Sequence, residues 1–210
     1  MPVAEAIKRL GRPVLRLAGL RPPDYRARVH HGKVAMDNIE IHGLVRAIGM
    51  LDRAPERIVE IGSYCGGSTV VIATAARRRN RAVQVFAIDP FQSDGSHYLA
   101  GYERLFDGNV AEWGVVDTIT KVRTTSVAAS IGWKEPIDFL FVDGDHEYEA
   151  VLADIRAFVP FVRDGGIVAF HDYKSGKPGV PRAVDELVAP NHPKIMQAGS
   201  LAVFRKARAS

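Results

Sequence analysis

Hydrophobic residues in this chain gather into five short runs separated by segments of helical spacing: Arg57–Ile61, Val83–Ile88, Thr118–Val122, Ile137–Val142 and Ile167–Phe170. Each run is too short for a helix and gives way to acids, histidine, threonine or glycine, as buried parallel strands do. Between the runs, Met36–Leu51, Val70–Ala76, Leu99–Trp113 and Val151–Phe161 read as helices, and a last helix is expected to start within Lys177–Val184. In the first of these, Ile39, Gly43, Val45 and Ile48 or Leu51 are expected to face inward. Arg163-Asp164-Gly165-Gly166 reads as a turn, and Ala198-Gly199-Ser200 as the hairpin turn between two closing strands, Lys194–Gln197 and Leu201–Phe204. Strands alternating with helices in this way predict an α/β fold built on a doubly wound, mostly parallel sheet.

Ahead of this pattern, Val3, Ile7, Leu10, Val14 and Leu17 form an amphipathic segment broken at Pro13. Residues 1–35 are therefore expected to be a helical arm or lid, and residues 36–210 one domain. Charge sharpens the division. Residues 1 to 33 hold eight Lys or Arg against Glu5 and Asp24, leaving 20 basic and 22 acidic residues elsewhere from totals of 28 and 24. The body is not basic, and no aromatic-basic stripe crosses it, so nucleic-acid binding by the arm is the lesser alternative. An apolar arm calls for a partner surface, and a homodimer is expected. No apolar run approaches the roughly 18 residues of a membrane span, and no charged-then-apolar leader opens the chain, so a cytoplasmic protein is expected. The single cysteine, Cys65, excludes a disulfide framework and a multi-thiolate zinc site.

The chemistry concentrates where strands end. Glu60-Ile61-Gly62-Ser63-Tyr64-Cys65-Gly66-Gly67-Ser68 runs from strand through glycine turn into helix, the ligand-binding corner of such a sheet. A dinucleotide loop needs glycine where Tyr64 stands, which disfavours a pyrophosphate. A nucleoside with an amino-acid end fits better, its cationic group facing Glu60, and S-adenosylmethionine is such a ligand. The same turn also occurs without any ligand. The motif resembles the first motif of class I S-adenosylmethionine-dependent O-methyltransferases, and Asp143-Gly144-Asp145-His146 resembles a signature of the small sugar and natural-product members, including the kind serving mycobacterial methylmannose polysaccharides.

The resemblance covers roughly residues 36 to 206 and implies a seven-stranded Rossmann-like methyltransferase fold. It implies cofactor contacts from Glu60, Gly62, Ser63, Tyr64, Gly66, Ser68 and Asp143, and one from Glu40, on the segment that folds over the methionine end in related enzymes. Asp89, ending the second strand, is expected to hold the ribose hydroxyls. Ser126 matches the serine of the family's adenine-contacting Gly-Asp-Ser, whereas Thr125 replaces its carboxylate. Metal-dependent relatives carry an aspartate and then Asp-Asp, Glu-Asp or Asp-Asn, so Asp143, His171 and Asp172 are the expected ligands of magnesium, or of manganese given the imidazole at His171. The long Pro90–Ala111 insertion is expected to recognise substrate.

Methyl transfer from a sulfonium to a hydroxyl requires alignment and removal of the hydroxyl proton. A histidine, with unperturbed pKa near ~6.5, can take it. His146 is the expected base and Asp143 the competing one. The acceptor is expected to be a sugar or glycoside. A catechol or other phenol is the alternative, because the Glu60 motif also resembles catechol O-methyltransferase.

Overall fold

The computed structural model describes residues 36–92 and 101–208. The expected arm at 1–35 and residues 93–100 of the expected substrate loop lie outside them. The chain runs α1 (Asn38–Gly49), β1 (Arg57–Ile61), α2 (Gly67–Arg77), β2 (Gln84–Ile88), α3 (Tyr102–Glu112), β3 (Ile119–Val122), α4 (Ser126–Ser130), β4 (Ile137–Val142), α5 (Tyr148–Phe158), β5 (Val162–Phe170), α6 (Gly179–Leu187), β6 (Lys194–Ala198) and β7 (Leu201–Arg205). One sheet orders them β3-β2-β1-β4-β5-β7-β6, parallel except at β7, which is antiparallel to both β5 and β6. The expected doubly wound, seven-stranded sheet is thus present, and its strand order reverses between β1 and β4.

Successive residues of the central strands feed two separate cores, as the period of two requires. Ile58, Phe139, Phe141 and Ile167 pack with α1, α2 and α3, while Val59, Leu140, Val142, Val168 and Phe170 pack with α5 and α6. Every residue of β4 is buried, because helices cover both of its faces.

Two local expectations are corrected. Ile39 is 41% exposed, and α1 instead buries Glu40, Ile41, Gly43, Leu44, Ala47 and Ile48. The helix is set at this angle by a capping box, in which the Asp37 carboxylate accepts from Ile39 and Glu40 while Glu40 accepts from the Asp37 N–H. Arg163 to Gly166 are not a turn but the start of β5, with an irregularity in the β4 pairing between Ile137 and Phe139. The short α4, capped by Thr125, follows the third strand.

Candidate active site

The C-terminal ends of β1, β2, β4 and β5 bring together most of the expected residues. After β1 the backbone turns through Gly62 at φ +83°, where a Cβ would overlap the Asp143 carbonyl group. Only glycine lets the loops after β1 and β4 touch here, and this contact forms one wall of the crevice at the reversal point. Tyr64, Phe91 and Asp172 are the non-glycine residues with left-handed backbone among those described, and all three sit directly after strand ends. Such strain persists where surrounding structure fixes it, and it clusters at functional sites.

Glu60 is fully buried, and Ser63 and Thr69 donate to its Oε2, yet Oε1 has no hydrogen-bond partner. Burial pushes its carboxyl up to about 7 against the pull of nearby hydroxyls, Ser68 among them. A cationic ligand group would complete this carboxylate. Beside it, α2 opens at Gly66 with no side-chain cap, which suits an anionic group. These features fit an amino-acid end carrying both charges.

Asp89, 6% exposed, accepts from the backbone N–H of Tyr64 (2.9 Å) and Phe91 (2.7 Å) and from the Tyr102 hydroxyl (2.8 Å). A carboxylate has about four acceptor sites, so two ribose hydroxyls would have to displace one of these donors. Tyr102 is the side-chain donor of the three. It stacks near Tyr64 and Phe91 at centroid distances of 5.1 and 5.9 Å. Sequence reasoning missed it, for its position at the start of a helical pattern gives no sign of a partner 13 residues away. Ser126 donates its hydroxyl to Asp154 of α5, a buried carboxyl raised to about 6 by desolvation. Ser126 is therefore committed to α5, and Asp154 was not anticipated.

The expectation for Glu40 is corrected. Its Oε1 accepts from the Ser200 N–H (2.9 Å) and hydroxyl (2.5 Å), and its Oε2 from Asp37 N–H (2.8 Å), with His171 Nε2 at 3.3 Å. All four acceptor sites are filled from within the protein, leaving none for a cofactor. Glu40 instead pins α1 to the β6–β7 turn and to the end of β5.

The expected metal set is also corrected. His171 is 5% exposed with Nδ1 2.9 Å from Asp143 Oδ1 and Nε2 facing Glu40, so both ring nitrogens are spent. The surrounding carboxylates raise its pKa to about 9 in spite of burial. Burial pushes the Asp143 carboxyl up while His171 holds it down. Asp172 is turned by its left-handed backbone to place Oδ2 2.6 Å from His146 Nε2, and that bond is the main cause holding its carboxyl down to about 2. Asp143, His146 and Asp172 do offer donor atoms within 4.8 Å of one another. Two of those residues are already bonded to each other and the third to His171. Magnesium prefers oxygen ligands and retained water, and a set in which one of the three donors is an imidazole suits it less well than it suits manganese.

The remaining arrangement is a histidine held by an aspartate. With Nε2–H donating to Asp172, the lone pair of His146 lies on Nδ1, which faces the Lys177 ammonium at 3.4 Å. At 32% side-chain exposure, His146 is open at the rim. Gly179 at the start of α6 has no room for a Cβ against the His146 carbonyl, so α6 braces this loop.

A doubly wound sheet of this strand order, with a glycine loop at the crevice and an aspartate-held histidine on its rim, defines a class I methyltransferase fold. A family model described as a methyltransferase domain matches residues 59–173, more than half of the 210, and the chain belongs to that family. Uncharacterized protein R132 of Acanthamoeba polyphaga mimivirus is 26% identical over 176 residues, 80% of this chain and 73% of that protein. The O-methyltransferase NovP superposes with a TM-score of 0.68 at 21% identity, covering 81% of each chain. TomG from Streptomyces achromogenes, an O-methyltransferase in complex with SAM, superposes with 0.64 at 16% identity over 94% of this chain and 88% of that one. Among the described residues no helix is long and apolar enough to cross a membrane.

Proposed function

We propose that this methyltransferase moves the methyl group of S-adenosylmethionine to a hydroxyl of a small acceptor, a sugar or glycoside, with His146 as the base. The observation that carries the reading is the His146–Asp172 pair, 2.6 Å apart, at the rim of the crevice beside Asp143. Glu60 would hold the ammonium of the donor, the start of α2 its carboxylate, and Asp89 its ribose once the Tyr102 hydroxyl swings away. The acceptor oxygen attacks the methyl carbon as the carbon–sulfur bond breaks, and its proton passes to His146 Nδ1 once Lys177 yields that atom. The products are the methyl ether, S-adenosylhomocysteine and an imidazolium. Asp172 fixes the imidazole tautomer and stabilises the charge that forms, as the acid of a hydrolase triad does. No step of this reading runs through magnesium or manganese.

The exposed Asp145 and Lys177 beside His146 suit a hydroxyl-rich acceptor better than a flat apolar phenol. The amphipathic segment of residues 3–17 supports a homodimer. The test is a methyl-transfer screen against sugars, glycosides and catechols with His146→Ala as control. That variant is expected to lose roughly 10²- to 10⁴-fold in turnover while S-adenosylhomocysteine binds with unchanged affinity. Turnover of catechols alone would overturn the acceptor class, and full activity of the variant would overturn the base.

A further inference from the structure

With His146 Nε2 committed to Asp172 at 2.6 Å, its other nitrogen, Nδ1, lies 3.4 Å from the Lys177 ammonium. An ammonium has three donors and no acceptor, so in this contact it claims the lone pair that a hydroxyl proton must reach. Lys177 is exposed, and among the described residues no carboxylate forms an ion pair with it. Arg182, five residues on and also exposed, sets its guanidinium 3.8 Å from the centre of the Tyr148 ring and likewise has no carboxylate partner among those residues. Two cations therefore lie against residues 146 and 148 of one loop. The acids around that loop do not neutralise them. Asp145 is turned onto the N–H of Glu147 at 3.0 Å, Glu186 accepts from the Tyr148 hydroxyl at 2.5 Å, and Glu147 and Glu149 are exposed without reaching Lys177.

We propose that Lys177 selects an acidic acceptor, a sugar carrying a carboxylate or phosphate close to the hydroxyl that is methylated. The proposal rests on the reading under Proposed function and names the substrate class of that same site. The anion of the acceptor pairs with the Lys177 ammonium and draws it off His146 Nδ1. The neighbouring hydroxyl then gives its proton to that nitrogen, while its oxygen bonds to the methyl carbon and the carbon–sulfur bond breaks. A neutral sugar offers the ammonium only hydroxyl oxygens, which pair with it more weakly than carboxylate or phosphate oxygens do, so the base stays covered. The separation of 3.4 Å between ammonium and base nitrogen requires the anion to sit within a few bonds of the reacting hydroxyl.

The test is methyl transfer by the purified full chain to matched acceptors, glucuronate against glucose and galacturonate against galactose, with glucose 6-phosphate as the phosphate arm, for the wild type, Lys177→Met and Lys177→Arg. The wild type is expected to favour the anionic member by at least about tenfold in kcat/KM. Lys177→Met should lose that preference, Lys177→Arg should keep it, and added salt should narrow it. A preference confined to the uronates assigns a carboxylate, and one confined to the phosphate arm assigns a phosphate. Equal use of anionic and neutral members by the wild type overturns the proposal, and so does a preference that survives Lys177→Met. Failure of the base assignment is read separately, from His146→Ala. Should none of these acceptors be methylated, saturation-transfer NMR of the same sugars on the S-adenosylhomocysteine-loaded chain decides. Binding of glucuronate, galacturonate or glucose 6-phosphate that the neutral sugars do not share and that Lys177→Met abolishes supports the proposal, and its absence overturns it.

Discussion

If His171 is an imidazolium locked between carboxylates, stability should fall as the solution becomes alkaline. Its pKa in the folded chain is raised to about 9 from 6.5. The folded state therefore holds this proton more tightly than the unfolded state does. The stabilisation is fully present below pH 6.5 and is lost as pH rises through 9. At 1.36 kcal/mol per pH unit, a raise of this size amounts to about 3 kcal/mol, and the ring is buried enough that solvent screening removes little of it. The assay is urea unfolding at intervals from pH 7 to 10 for the wild type and His171→Gln. Glu60 and Asp154, raised to about 7 and about 6, lose their corresponding contributions mostly below this range, and taking the difference between the two proteins cancels them. The difference is expected to shrink by about 3 kcal/mol between pH 7 and 10. A difference that stays flat would refute the imidazolium.

Other consequences are equally direct. Asp138, at the opposite end of β4 from Asp143 and 1% exposed, accepts from Arg163 Nε (2.6 Å), Arg53 Nε (3.0 Å) and the N–H groups of Glu56 and Arg57. Asp138→Ala should cost about 3–5 kcal/mol in urea unfolding and leave ligand affinity intact, because it serves the sheet rather than the crevice. Gly62→Ala forces a Cβ into the Asp143 backbone. It should destabilise by roughly 2–4 kcal/mol and abolish S-adenosylhomocysteine binding, as read by calorimetry.

The strands and the crevice were legible because their signals are local. A strand buried on both faces reads as an apolar run, and the glycines at 62 and 66 mark a turn. The face of α1 was not legible, because Glu40 reads as solvated unless its partners are known, and Ser200 lies 160 residues away. The same distance problem hid the contacts of His171 with Glu40 and Asp143. Its neighbour Asp172 looks like a second ligand in sequence, but the left-handed backbone there sends the carboxylate to His146, 26 residues earlier. Gly165-Gly166 suggested a turn, yet Gly166 carries a Lys206 hydrogen bond of the strand pairing that only the folded sheet supplies. Tyr102 and Asp154 are polar groups in helices, and their functional positions follow from packing rather than from any spacing.

Calorimetric titration of the full chain with S-adenosylhomocysteine tests the central claim most directly. The account predicts one site per chain in the low micromolar range, about −8 kcal/mol, weakened by Asp89→Ala and unchanged by His146→Ala. Absence of binding to the unmutated chain would contradict it.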